Sequence, residues 1–367
     1  MFIETASWND ILPILRTNFR IWSPGLSQSD YRHYIWSQLH SPWSRQNLRY
    51  VIHRIHGETR ASCKTYKLSL RSGGKSFLFA VLGAIYTPEK FRGQGFATDL
   101  IEGLIDRFQE QSFDGIILFS DIDPEFYASL GFDQMGGSEF VMFLPDETQA
   151  VADLSKDDKS FDPRCIEYHT LTKTTDLETS QNASGTGHLD PGLDEEIIAN
   201  MTRHYARWLR RQPFGIERSE DYFTYKLGKE RFIATHSKLS WPEMIVTIAN
   251  LGINEYAYAL TECSGMTMRV LEVIGSQTAR QVLWKELYRK AVKTGIRRIR
   301  GWESIIRDFA PTFSFRPILP DASDLKTSNC KILSFERDWG RPMIFTFNDQ
   351  IRFWFRTFPC PLLELDL

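Results

Sequence analysis

Apolar and polar positions first follow a helical period. Between Trp8 and Phe19, Ile11, Leu12, Ile14, Leu15 and Phe19 recur at three- and four-residue steps, which predicts an amphipathic helix. Ser27 to Leu39 predicts a second, with Ser27 or Ser29 as its cap. The period then drops to two. Leu48 to His56 alternates as a half-buried strand does, and Ala61 to Leu70 alternates again after a turn at Gly57-Glu58. Ser72-Gly73-Gly74-Lys75 marks a hairpin turn. Ser76 to Tyr86 is a nearly continuous apolar run, as expected of a strand buried on both faces. A glycine-bearing loop, Thr87 to Phe96, leads into a helix with Ala97, Leu100, Ile101, Leu104, Ile105 and Phe108 on one face. Asp114 to Ser120 predicts a buried strand. Pro124 to Leu130 predicts a short helix stopped by Gly131, and Phe140 to Leu144 a closing strand.

From about Asp146 to Pro191 the chain turns polar, most densely at Ser180 to Gly187, with one short strand expected near Cys165 to His169. Beyond it, Leu193 to Arg211 predicts a helix. Tyr256 to Glu262 and Met268 to Ile274 predict a hairpin. Gln277 to Lys293 predicts a long helix and Ile296 to Trp302 a strand. The order hairpin, helix, strand repeats that of Phe77 to Ser120 and suggests an internal duplication, argued from element order rather than residue identity. The expected division is a first domain at 1–147, a polar linker at 148–191 and a second α/β domain at 192–367.

Composition narrows the function classes. A formal net charge of -2 argues against nucleic acid as a partner. The basic run Lys293 to Arg300 spans a helix end and a strand, where cations suit the helix C-terminus. The five cysteines form no C-x-x-C pair, so neither a zinc site nor a disulfide framework is indicated. His53 and His56 would point to opposite faces of a strand and make no metal pair. The N-terminus shows no secretory pattern, and no stretch of about 18 apolar residues occurs. A cytoplasmic protein without a membrane partner is expected; a homo-oligomer is compatible with the sequence.

The stretch that carries chemistry is Arg92-Gly93-Gln94-Gly95-Phe96-Ala97, between a buried strand and an amphipathic helix. Gly93 and Gly95 allow consecutive N–H groups to point into one concavity. The helix start adds unpaired N–H groups and the positive end of its dipole. Arg92 adds a fixed charge, and a small Ala97 keeps helix and strand close. The segment is neither a Walker A motif nor a G-x-G-x-x-G fingerprint. Further on stands Phe126-Tyr127-Ala128-Ser129-Leu130-Gly131-Phe132.

These two motifs, with their separation and flanking elements, resemble the GCN5-related N-acetyltransferase (GNAT) superfamily over about residues 1–145. The resemblance implies an α/β fold of α+β type: a mixed sheet splayed into a wedge for the pantetheine arm of acetyl-CoA, the co-substrate. It implies that Ala84, Ile85 and Tyr86 pair with the pantetheine amides. Arg92, Gly93, Gln94, Gly95, Phe96 and Ala97 would hold the pyrophosphate. Tyr127 would be the general acid toward the leaving thiolate. A backbone N–H at Ile85 or Tyr86 would hold the oxyanion. Glu89, Asp121 and Asp123 are the carboxylates near the site; each is either a base or a solvated loop charge, and the family often removes this proton through water with no single base. The implied activity is acetyl transfer to a primary amine by direct attack in a ternary complex. The acceptor would be a small molecule such as lysine, a polyamine or an antibiotic amine. The alternatives are a non-catalytic acyl-CoA sensor and a protein lysine or N-terminal acetyltransferase.

More finely, Phe119-Ser120-Asp121-Ile122-Asp123-Pro124-Glu125-Phe126-Tyr127 and Ala61-Ser62-Cys63-Lys64-Thr65 are similar to segments of fungal lysine acetyltransferase-like proteins. Lys64 here replaces their acidic residue and Asp123 their glycine. The tandem arrangement is similar to the mycobacterial enhanced-intracellular-survival acetyltransferases, whose second GNAT-like region is non-catalytic. That implies a degenerate GNAT-like second half, whose turn Ile274 to Arg280 lacks the cradle motif. It also implies an aromatic tail, Phe353 to Leu363, that docks on a core and brings the Leu367 carboxylate toward the active site.

Overall fold

The computed structural model describes residues 2–144, 165–171, 189–239, 242–307, 331–336 and 340–347. Strand Phe2–Thr5 (β1) precedes three helices, Trp8–Trp22 (α1), Gln28–His40 (α2) and Pro42–Asn47 (α3). Each helix starts on a serine whose hydroxyl accepts the N–H three residues ahead: Ser7 from Asp10, Ser27 from Asp30 and Ser41 from Ser44. An antiparallel meander follows, Leu48–Ile55 (β2), Glu58–Ser72 (β3) and Lys75–Tyr86 (β4). Helix Phe96–Glu110 (α4) crosses to Gly115–Ser120 (β5), which lies parallel to β4. The predicted face of α4 is the buried one, with Leu100, Ile101 and Leu104 at 0% exposure.

Pro124–Ala128 (α5), Asp133–Gln134 (β6), Ser138–Phe143 (β7) and Ile166–Thr170 (β8) complete the first half. The second half contributes Glu195–Leu209 (α6), Phe214–Ile216 (β9), Glu220–His236 (α7), Glu243–Asn250 (β10), Tyr256–Ser264 (β11) and Thr267–Gly275 (β12). Gln277–Lys293 (α8), Arg298–Trp302 (β13), Glu303–Arg307 (α9), Lys331–Glu336 (β14) and Arg341–Thr346 (β15) follow.

The strands form two mixed sheets. The first is ordered β1-β2-β3-β4-β5-β15-β6, with β9 added on β3; the second is β14-β7-β13-β12-β11-β10-β8. Each contains an antiparallel hairpin whose second strand is joined through a helix to a parallel neighbour: β3-β4-α4-β5 in one, β11-β12-α8-β13 in the other.

The sheets do not part at one point in the chain. The strand expected to close the first sheet, β7, lies in the second, between β13 and β14. Its buried Phe140 and Met142, both at 0% exposure, belong to the core around Trp284 and Trp302. In exchange, β15 from the far end of the chain enters the first sheet beside β5. It covers the outer edge of β5 and buries Met343 and Ile344 against it. In the polar stretch 148–191, the strand expected near Cys165 is β8, the edge strand of the second sheet. Residues 148–164 and 172–188 lie outside the described residues, as do the aromatic tail and Leu367. Among the described residues no helix is long and apolar enough to cross a membrane.

Helix α7 is buried on two opposite sides. Tyr222 and Tyr225 pack into the core under the first sheet, whereas Phe223 and Leu227 pack into that of the second. It is the shared layer between the halves, and it also walls the cavity described next.

Candidate active site

The first sheet opens where the sequence predicts a wedge. Strands β4 and β5 pair in parallel only from Phe79 opposite Gly115 to Leu82 opposite Leu118. Beyond Leu82, the β5 side of Gly83, Ala84, Ile85 and Tyr86 has no strand partner among the described residues. On the other side, Gly83 faces Lys64 and Tyr86 faces Ser62, so Ala84 and Ile85 together stand against Cys63 alone. This is a β-bulge, and it turns the strand away from its neighbour. Ala84 adopts φ 50°, a left-handed conformation that costs an L-residue about 1–2 kcal/mol. Its amide groups are thereby held in a direction that a regular strand would not give them.

Past the wedge, the chain makes a 3-10 turn at Glu89–Phe91 and enters the glycine motif. Arg92 donates from Nε to the Thr87 carbonyl at 3.2 Å, and Gln94 from Nε2 to the Lys90 carbonyl at 3.2 Å. Gly93 and Gly95 sit at φ 71° and 83°. A Cβ at either would meet nothing within 4 Å, so the space above them is open. Gly95 is the N-cap of α4, and no side chain caps that helix. The N–H groups of its first turn have no intrahelical acceptor. Positive φ, open space and an uncapped helix start together make a concavity that fits a diphosphate. Arg60, which the sequence reading did not single out, places its guanidinium 4.0 Å over the Phe91 ring and 5.7 Å from that of Phe96. Its charge is paired with Glu58 at 2.9 Å.

The second half has the corresponding turn and closes it. Ser276 caps α8, accepting the Ala279 N–H at 3.3 Å and donating to Glu255 at 2.5 Å. A Cβ on Gly275 would lie 2.3 Å from the Tyr256 carbonyl oxygen. A serine, a carboxylate and backbone fill the place that is open at Gly93 and Gly95.

Tyr127 lies on α5, which Asp123 caps by accepting the Glu125 N–H at 3.0 Å. The tyrosine is 6% exposed and packs on Phe126 and Phe132, with ring centroids at 4.9 and 6.0 Å. Burial, then the charge of Asp121, pushes its phenol up to about 12. Cys63 is fully buried, and burial pushes its thiol up to about 12, so it is held as the thiol rather than a nucleophilic thiolate. The three candidate carboxylates separate. Glu89 is exposed on the 3-10 turn and Asp123 is engaged as a cap. Asp121 accepts the Gly340 N–H at 3.1 Å and reaches a cavity.

That cavity, about 430 Å³, shares its floor with the open strand edge: Val81 to Ala84 of β4, and Phe119 and Asp121 of β5. Trp22, Trp43, Tyr66 and Leu68 form one side. Helix α7 adds Tyr222, Tyr225, Lys226 and Lys229, and the Trp43 ring packs on those of Tyr222 and Tyr225 with centroids at 5.1 and 4.8 Å. On β3, opposite Gly83, Lys64 donates to Gln38 Oε1 at 2.8 Å. Burial, with Lys229 nearby, lowers its ammonium to about 7. Burial also lowers Lys229, with Glu230 acting the other way. The sequence reading missed the α7 residues because that helix is apolar on two sides and shows no single stripe. Another cavity, about 410 Å³, lies at Arg71 to Gly74 and Leu209 to Phe214, away from both the wedge and the glycine loop.

Residues 5–135 match the family model of the acetyltransferase (GNAT) domain. No curated protein matches the chain in sequence. Among solved structures, the chain is similar to a GCN5-related N-acetyltransferase from Anabaena variabilis, with 14% identity and a TM-score of 0.59 over 95% of this chain and 73% of that one. It is similar to a GCN5-related N-acetyltransferase from Kribbella flavida, with 13% identity and a TM-score of 0.56 over 94% of this chain and 71% of that one. It is also similar to Eis1 from Mycobacterium abscessus, with 12% identity and a TM-score of 0.55 over 97% and 76%. At these identities the likeness is one of fold, and it extends over both halves.

Proposed function

We propose that this chain, whose residues 5–135 are a GNAT acetyltransferase domain, transfers the acetyl group of acetyl-CoA to a primary amine bound in the cavity between β4, β5 and α7. One observation carries the reading: Gly83 and Ala84 belong both to the unpaired strand edge and to the cavity floor. A thioester laid along that edge would meet an acceptor from the cavity at the same two residues.

The roles follow from the groups present. The N–H groups of Gly93 to Ala97 and the charge of Arg92 bind the diphosphate. The backbone of Ala84, Ile85 and Tyr86 orients the pantetheine, and an N–H at Ile85 or Tyr86 receives the oxyanion. Tyr127 holds its proton up to about pH 12 and gives it to the departing thiolate. The buried Cys63 thiol supports direct attack by the amine over a cysteine-bound acyl intermediate. Asp121, which lines the cavity, receives or relays the proton that the acceptor ammonium loses before the neutral amine attacks.

The test is thiol release from acetyl-CoA with a panel of amines. Amine-dependent release is expected. Saturable CoA binding with no release for any amine would make the chain a sensor.

A further inference from the structure

A separate cavity of about 390 Å³ lies at the end of β1 and shares no lining residue with the one between β4, β5 and α7. Strand β1 pairs with β2 only as far as Thr5 opposite Val51, and the Ala6 N–H then reaches the Tyr50 carbonyl at 2.8 Å. Ser7 caps α1 and turns the chain away. Leu48 and Arg49 therefore have no strand on that side of β2 among the described residues, and α1, α2 and α3 line the gap. Two indoles stand in it. Trp36 stacks on His40 with ring centroids 3.6 Å apart and meets Trp8 edge to face at 5.0 Å. His40 is fixed by its Nδ1, which donates to the Trp36 carbonyl at 2.8 Å. After both ring contacts Trp36 is still 36% exposed. The charge in the lining comes from Arg45 and Arg49, and no carboxylate lines the cavity among the described residues. Arg49 is anchored by its Nη1, which donates to the carbonyls of Arg45 and Leu48 at 2.9 and 2.7 Å. Its Nε and Nη2, and the Arg45 guanidinium, have no acceptor among the described residues. The acidic residues next to the cavity in the chain, Glu4 and Asp10, are both paired with Arg54 at 2.6 Å.

An exposed arginine is ordinarily served by water. Here two of them border a concave site with an uncovered indole, and one is held in place by its own hydrogen bonds. We propose that this cavity binds a flat aromatic ring carrying an anionic group, a carboxylate or a phosphate. The planar guanidinium fork matches either anion, with two donors to two oxygens. Indoles favour a ring that stacks or meets them edge to face, as Trp8 and Trp36 already do with each other. A cationic ligand would meet like charge, and a neutral ring would gain the stacking alone. The volume suits one ring or two fused ones. The site takes no part in acyl transfer, so it stands or falls apart from that reading.

The test is calorimetric titration of the full chain with naphthoate, naphthyl phosphate, naphthalenemethanol and cyclohexanecarboxylate. Saturable binding of an anionic naphthalene is expected, and the tighter of the two names the anion. The alcohol should bind about 10–100-fold more weakly, the range of a lost charge-assisted hydrogen bond. Cyclohexanecarboxylate should bind about 2–10-fold more weakly than naphthoate, the range of a lost aromatic pair. Arg49→Glu should weaken both anions at least about 10-fold and strengthen the binding of naphthylmethylamine. Trp36→Leu should weaken naphthoate while leaving the preference for the anion over the alcohol. Melting temperatures show that the variants fold, and Arg45→Glu replaces Arg49→Glu if that chain does not. No binding of either anion at millimolar concentration overturns the proposal. Equal binding of the alcohol overturns the role of the arginines, and equal binding of cyclohexanecarboxylate overturns that of the indoles. Undiminished naphthoate binding in both folded variants puts the ligand at another site, such as the aromatic rings between β4, β5 and α7, and also overturns it.

Discussion

Ile344, near the far end of the chain, stands directly opposite Ile117 in antiparallel register, and the two are 1% and 0% exposed. The pairing matters to the site because β5 forms one side of the wedge. Its inner edge leaves β4 at Leu118, and its outer edge is held by β15. The wedge of the first half is thus braced by the second. Ile344→Ala should lower stability by about 2–5 kcal/mol, the usual cost of such a cavity. Ile122→Ala, at a position 56% exposed, should cost about 0.5 kcal/mol or less. Urea denaturation of the two variants is the check.

Gly95→Trp should abolish CoA binding and leave the fold intact. The side chain has room, since nothing lies within 4 Å of a Cβ there, but it fills the concavity. The positive φ costs an L-residue about 1–2 kcal/mol, a small fall in melting temperature for a chain of this size. Calorimetry with CoA, beside circular dichroism, separates the two effects.

Tyr127→Phe should lower kcat by about 10²-fold or more with CoA affinity retained. The pH dependence has a definite sign. The folded phenol is raised above its ordinary 10 to about 12, so its contribution to stability is whole below pH 10 and is lost as pH rises toward 12. Across pH 6–10 the acid therefore stays protonated, and no alkaline limb of kcat should arise from it. An alkaline limb that vanished in Tyr127→Phe would contradict the assignment.

Lys64→Met should stabilise the protein. Folding lowers this ammonium from 10.5 to about 7, so between those values the unfolded chain binds the extra proton. Stability then rises with pH across that window, by at most about 1.4 kcal/mol per unit, and is lost as pH falls to 7. The gap between Lys64→Met and the unaltered chain should be widest at pH 7 and below, and should close toward pH 10. Melting temperatures across that range test it.

Arg218 and Glu272 form an ion pair at 2.7 Å with both side chains at 0% exposure. Removing one partner strands a buried charge, so Arg218→Met should cost about 3–5 kcal/mol, and a second apolar replacement at Glu272 should restore much of it. Chemical denaturation of the single and double variants measures the coupling.

The sequence reveals most of what lies close together in the chain. The helical face from Leu100 to Phe108, the serine cap at Ser27 and the left-handed Gly131 are local consequences of local residues. The open turn at Gly93 and Gly95, both at positive φ, is legible for the same reason. Strand exchange is not, because β7 and β15 are short apolar runs and nothing in such a run says which sheet receives it. The α7 side of the cavity is hidden too. Tyr222, Tyr225, Lys226 and Lys229 line a cavity only because α7 is sandwiched between two cores, which removes the single apolar stripe that marks a helix. The bulge at Ala84 is set by a two-against-one register with Cys63 that no single strand shows.

The most direct test is a crystal structure of the chain grown with CoA. The account predicts diphosphate density within hydrogen-bonding distance of the backbone N–H groups of residues 93–97 and a pantetheine chain along Gly83 to Tyr86, ending beside the cavity at Asp121. Density for CoA at any other place, with the strand edge beyond Leu82 bare, would contradict it.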